Sequence, residues 1–166
     1  MSTTMTTAGT ANRAAEQYCT FWVAGLFFGV AVDDVQEVLR RQPMTPVPRA
    51  SRAVTGLINL RGQIVTAVDL RVRLGLPDRE DDQLPMNVIV RSRGEVVSLL
   101  VDDIGDVIDP GESGGGDPQP TPSTMPREVQ DVVRGVRPLP DSILLVLDAD
   151  RAVDVATTTD TTGGNP

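Results

Sequence analysis

The segment Val32-Asp33-Asp34-Val35-Gln36-Glu37-Val38-Leu39 returns 69 residues later as Val101-Asp102-Asp103-Ile104-Gly105-Asp106-Val107-Ile108. A chain that repeats an apolar and acidic pattern at one spacing is built from two similar units. Each copy follows two β-rich runs joined at a glycine. In the first half these are Tyr18 to Ala24, then Gly25, then Leu26 to Val32. In the second they are Met86 to Arg93, then Gly94, then Glu95 to Val101. Aromatic and β-branched residues on either side of such a turn predict a hairpin. A second block recurs at a spacing of 79, matching Gly56 with Gly135, Leu60 with Leu139, Ile64 with Ile143 and Asp69 with Asp148. The extra residues fall in the second half's connection, where the Gly- and Pro-rich run Asp109 to Pro122 reads as a flexible insertion.

Each half is therefore a hairpin, a short acidic turn or helix, a loop and a second hairpin. A short helix closes each, over Asp69 to Leu74 and Asp148 to Val153, opened by an aspartate that can accept from orphan amides. Short strands with Gly and Pro turns make a small barrel or curled sheet. A half of about 65 residues buries little core alone, so the two should pack together. The expected organisation is all-β, with a folded domain over 17–155. Its first barrel spans about 17–80 and its second about 85–153. The segments 1–16 and 156–166 are polar, low in complexity and expected to be disordered tails.

Composition narrows the function. The formal net charge is −8, which opposes binding to nucleic-acid phosphates or to anionic membrane surfaces. Cys19 is the single cysteine, so no intramolecular disulfide forms and a reducing compartment suits the chain. No apolar run reaches the roughly 20 residues of a membrane span, and the N-terminus has no signal-peptide pattern, which together point to the cytoplasm. The chain has no histidine, which removes Ser-His-Asp and Cys-His nucleophiles and the common metal sites. No enzyme and no cofactor are expected.

Several features have plain readings. The neighbouring acids Asp33-Asp34 and Asp102-Asp103 point in different directions and suit turns or caps. Gly114-Gly115-Gly116 lacks the Lys-Ser/Thr of a phosphate loop. Phe21, Trp22, Phe27 and Phe28 cluster in one hairpin and read as core. Cys19 reads as an inert strand thiol.

Asn59-Leu60-Arg61-Gly62, followed by Ile64-Val65 and Val68-Asp69-Leu70-Arg71, resembles the central signature of CheW proteins, the adaptors of bacterial chemotaxis arrays. Val35-Gln36-Glu37-Val38 and Val101-Asp102-Asp103-Ile104-Gly105-Asp106-Val107 resemble the family's segments after its two first hairpins. The similarity runs from Tyr18 to Val155. Thr66 and Ala67 depart from it, standing where a proline and an apolar residue are commoner in the family.

The resemblance implies two SH3-like five-stranded barrels around a shared core and no catalytic activity. It implies a cytoplasmic scaffold at membrane-associated arrays, linking the cytoplasmic tip of transmembrane chemoreceptors to the CheA histidine kinase. The partners implied are the CheA regulatory domain, met at barrel ends, and the receptor tip, met where the barrels join, with neither nucleic acid nor membrane insertion. A coupling protein of a non-flagellar pathway, such as surface motility, fits the same resemblance. The partner-binding set it implies is Arg61, Glu37, Val35, Asn59, Leu60 and Gly62. The repeat adds an independent argument. Arg61 aligns with Pro140 and Gly62 with Asp141, so the fold does not need an arginine at that turn. Glu37 aligns with Asp106, so an acid there serves both halves.

Overall fold

A computed structural model describes residues 17–47, 52–80 and 82–154; both predicted tails lie outside the described residues. Among the described residues, ten strands form two five-stranded sheets with three short α-helices. The first half supplies β1 (Tyr18–Val23), β2 (Leu26–Ala31), a 3-10 turn (Val32–Asp34), β3 (Val35–Leu39), β4 (Val54–Leu60), β5 (Gln63–Asp69) and α1 (Leu70–Arg73). The second supplies β6 (Met86–Ser92), β7 (Glu95–Val101), β8 (Asp103–Ile108), α2 (Arg127–Val132), β9 (Val133–Pro138), β10 (Ile143–Leu147) and α3 (Ala149–Ala152). The hairpins and the closing helices recur as the sequence predicts, but the acidic segments run into strands β3 and β8, and α2 has no counterpart among the described residues of the first half.

The assignment of one barrel to each half is corrected. The first sheet runs β8-β1-β2-β10-β9 and the second β3-β6-β7-β5-β4. Each half gives its first hairpin to the other half's sheet. Parallel pairings make the joins, β2 beside β10 and β5 beside β7. The physical reason lies in the acidic segments after each first hairpin. They turn the chain out of one sheet and into the other, so the strand that follows pairs with the opposite hairpin.

Both sheets curl until their edges meet. The segment after β3 pairs with β4 through Thr45 and Leu57, which exchange two backbone bonds of 2.8 Å. The segment after β8 pairs with β9 in the same way through Gln119 and Val136, at 2.9 and 2.8 Å. The matched glycines sit at these closures. A Cβ on Gly56 would lie 2.5 Å from the Thr45 carbonyl oxygen, and one on Gly135 would lie 3.0 Å from that of Gln119. The run from Asp109 to Pro122 is thus not the flexible insertion that its composition suggests. Besides the Gln119 bridge, Gly116 N–H donates to Pro138 O at 2.8 Å and Thr121 Oγ1 donates to Val133 O at 3.2 Å.

The core has three parts. The largest lies between the sheets and joins Phe21, Phe28, Leu145 and Leu147 of the first with Val68, Val88, Leu99 and Val101 of the second. The interior of the second barrel holds Ile58, Leu60, Val65 and Ile89; that of the first holds Tyr18, Leu144 and Val146. Strands such as β10 are buried on both faces, hence the unbroken apolar run Ile143-Leu144-Leu145-Val146-Leu147. The aromatic cluster divides. Phe21 and Phe28 are fully buried, whereas Trp22 is 39% exposed and lies on Phe27 with ring centres 4.4 Å apart.

Candidate functional site

Three hairpins turn on two residues in the left-handed region: Ala24-Gly25, Arg61-Gly62 and Arg93-Gly94. Two-residue turns of this kind match the right-handed twist of the flanking strands. At the β4–β5 turn Asn59 Oδ1 accepts from Gly62 N–H at 2.8 Å and locks the loop. Leu60 anchors it from inside the barrel. Arg61, with φ of 53°, projects into solvent and ion-pairs with Glu37 on β3. The Arg61 side chain is 67% exposed and that of Glu37 23%. The pair contributes at most about 1 kcal/mol to stability.

The implied set therefore separates by position. Arg61, Glu37, Asn59 and Gly62 lie together at the surface of the second sheet. Leu60 is buried, and Val35 is half-buried against the shared core. Ile64, missed in the sequence reading, stands beside the same turn and is 62% exposed. Its repeat partner Ile143, beside the β9–β10 turn, is 54% exposed. The signal available in the sequence was the repeat, which matches the two isoleucines at equivalent positions beside equivalent turns.

A second surface lies over the shared core. A groove of about 250 Å³ is lined by Ala24 and Leu26 of the first hairpin, Leu76 after α1, Met125 and Val129 at α2, and Leu145. Its walls are almost wholly apolar. Beside it is a group of buried charges that the reading of Asp102 as a turn residue missed. Asp102 Oδ2 accepts from Ala24 N–H at 2.6 Å and from Arg71 Nη2 at 2.6 Å, and Oδ1 accepts from Arg71 Nε at 2.9 Å. Arg79 Nε lies 2.9 Å from Asp102 Oδ1, and its Nη1 donates to Asp69 at 2.7 Å. Burial alone would push the Asp102 carboxyl up. The hydrogen bonds from Arg71 and Ala24 and the Arg79 and Arg71 charges outweigh it and hold the carboxyl below its usual range. The bond to Asp102 raises Arg71 in turn.

Elsewhere, burial pushes the half-buried Cys19 thiol up, which disfavours the nucleophilic thiolate. Among the described residues, no cluster of three or more His, Cys, Asp or Glu is placed to hold a metal, and no helix is long and apolar enough to cross a membrane.

The family model for the CheW-like domain matches residues 17–156. The chain is 31% identical to the chemotaxis protein CheW of Rhizobium meliloti over 130 residues, covering 78% of this chain and 82% of that one. It is 28% identical to the chemotaxis protein CheW of Bacillus subtilis over 142 residues, covering 86% and 89%. The crystal structure of the scaffolding protein TtCheW from Thermoanaerobacter tengcongensis superposes with a TM-score of 0.69 at 27% identity, covering 80% of this chain and 88% of that one. Two interleaved five-stranded sheets, the matched segment and these relatives agree, and the chain belongs to the CheW family.

Proposed function

We propose that the protein is a non-catalytic adaptor that links the cytoplasmic tips of transmembrane chemoreceptors to the CheA histidine kinase in chemotaxis signalling. The observation that carries this reading is Arg61. It is exposed, it sits on a turn that the other half builds with Pro140-Asp141, and Glu37 holds its guanidinium from the far edge of the sheet. A charge that the fold does not require, yet that is oriented, suits recognition better than stability.

The exposed isoleucines support a second contact. Ile64 and Ile143 mark the hairpin tips of the two barrels and offer apolar anchors for another barrel end, as in the regulatory domain of CheA. The apolar groove suits one face of a receptor helix. An adaptor with these surfaces works at the cytoplasmic face of a receptor array.

The test is binding of purified CheA regulatory domain at increasing salt. The expected complex survives ionic strength well above physiological and is weakened by Ile64→Asp or Ile143→Asp. A complex abolished by salt alone, and indifferent to both substitutions, would contradict the apolar contact.

A further inference from the structure

The repeat offers a control for every feature of this molecule, because each junction between the sheets has a counterpart. At the first junction Asp102 receives the Ala24 amide and the Arg71 guanidinium. The matched positions at the second are Asp33, Arg93 and Asp150. There Asp33 is exposed, and Asp150 accepts from Ser92 Oγ at 2.5 Å instead of offering a cation. The fold thus builds the same junction without the buried ion pair. Whatever that pair does, it does on one side only.

On that side it borders the apolar groove and is bonded to two of its walls. One wall is the β1–β2 hairpin, which carries Ala24 and Leu26; its turn is tied down by Ala24 N–H on Asp102 and by Asp102 N–H on Trp22 O at 2.9 Å. The other is the segment after α1, which carries Leu76. There Leu76 N–H donates to Arg71 O at 2.8 Å, and Arg71 Nη1 donates to Pro77 O at 2.9 Å. Asp102 therefore stands between the two walls and bonds to both, directly to Ala24 and through Arg71 to the segment around Leu76. The apolar core beneath is not directional and tolerates small slides. A charge-assisted fork on a carboxylate does not.

We infer that Asp102, acting through Arg71, is a positioning residue that sets the width of this groove for the apolar face of a receptor-tip helix. The inference rests on the receptor-docking reading above and adds the device that holds the seat in shape. Arg79, on Asp102 and Asp69, braces the carboxylate from behind.

The experiment compares the full chain with Asp102→Asn, Arg71→Lys and Leu76→Asp for binding to a purified receptor-tip fragment and, separately, to the CheA regulatory domain. Amide exchange is followed at Ala24. Asp102→Asn is expected to lose about tenfold or more in receptor affinity and to lose protection at Ala24. Kinase-domain binding, which uses the hairpin tips, should stay within about twofold. Arg71→Lys, which keeps the charge but loses the fork, should give an intermediate loss, and it replaces Asp102→Asn should the latter not fold. Receptor binding at the wild-type level in both variants would overturn the inference, as would equal losses for both partners. Leu76→Asp tests the groove itself. If it leaves receptor binding intact, the docking reading fails; if it abolishes binding while the Asp102 and Arg71 variants bind normally, only the positioning role fails.

Discussion

Arg61 and Glu37 lie at opposite edges of one five-stranded sheet and meet because that sheet curls closed. Glu37 is on β3, one outer strand, and Arg61 is on the turn leading out of β4, the other. The Thr45–Leu57 bridge draws the edges together, and the ion pair spans the same closure from outside. The pair thus reports closure of the barrel but adds little to it, since Arg61 is mostly solvated.

Closure depends instead on two glycines. A side chain at Gly56 would push on backbone that is itself hydrogen-bonded, so relief requires moving the closing segment. Gly56→Ala should destabilise by about 2–3 kcal/mol, the range for overpacking against an unyielding neighbour. Gly135→Ala, with 3.0 Å to the equivalent carbonyl, should cost less. Denaturant unfolding of both variants checks the order, and equal stabilities would show that both closures give way.

The depressed Asp102 carboxyl predicts a pH signature. A group held below its unfolded value of about 3.9 contributes stability that is complete above that pH and is lost as pH falls through the folded value. The charges facing it are Arg71 and Arg79, with Asp69 and Asp78 acting on Arg71. Asp102→Asn should be less stable than wild type at neutral pH by about 2 kcal/mol, the size expected for lost hydrogen bonds to a charged group, and the gap should begin to narrow only as pH falls below about 4 and close once pH is below the folded carboxyl's value. Thermal melts across that range decide it; a constant gap would mean that the carboxylate charge is not what the site uses.

The exchange of hairpins between halves predicts that neither half folds alone. Separate fragments ending at Gln83 and starting at Leu84 each lack the hairpin that completes their sheet. Each should show no cooperative melting, and an equimolar mixture should recover the native circular-dichroism spectrum. A fragment that melts cooperatively by itself would contradict the observed pairing.

The hairpins, their glycine turns and the helix-capping roles of Asp69 and Asp148 were legible in the sequence because all are local. Which hairpin joins which sheet was not. Strands such as Val88-Ile89-Val90, buried on both faces, carry no alternation that would name a neighbour. Asp102 was misread for a similar reason. Its guanidinium partners are Arg71, 31 residues away, and Arg79, and nothing near it in sequence announces a buried charge. The flexible reading of Asp109 to Pro122 fails because its composition reports turn propensity and not packing. At the candidate site the matched halves did separate Arg61 from the fold's needs, while Leu60, inside the barrel, shows that a motif's neighbours can serve it structurally.

The most direct test of the account is Arg61→Ala, assayed for melting and for receptor-dependent CheA activation on one preparation. Ala24 already occupies the same turn position at φ of 50°, so alanine fits the backbone, and stability should change by less than about 1 kcal/mol. Receptor-dependent activation should be lost, with a milder loss for Glu37→Ala. Wild-type activation by a folded Arg61→Ala protein would contradict the claim that this turn takes part in coupling receptors to the kinase.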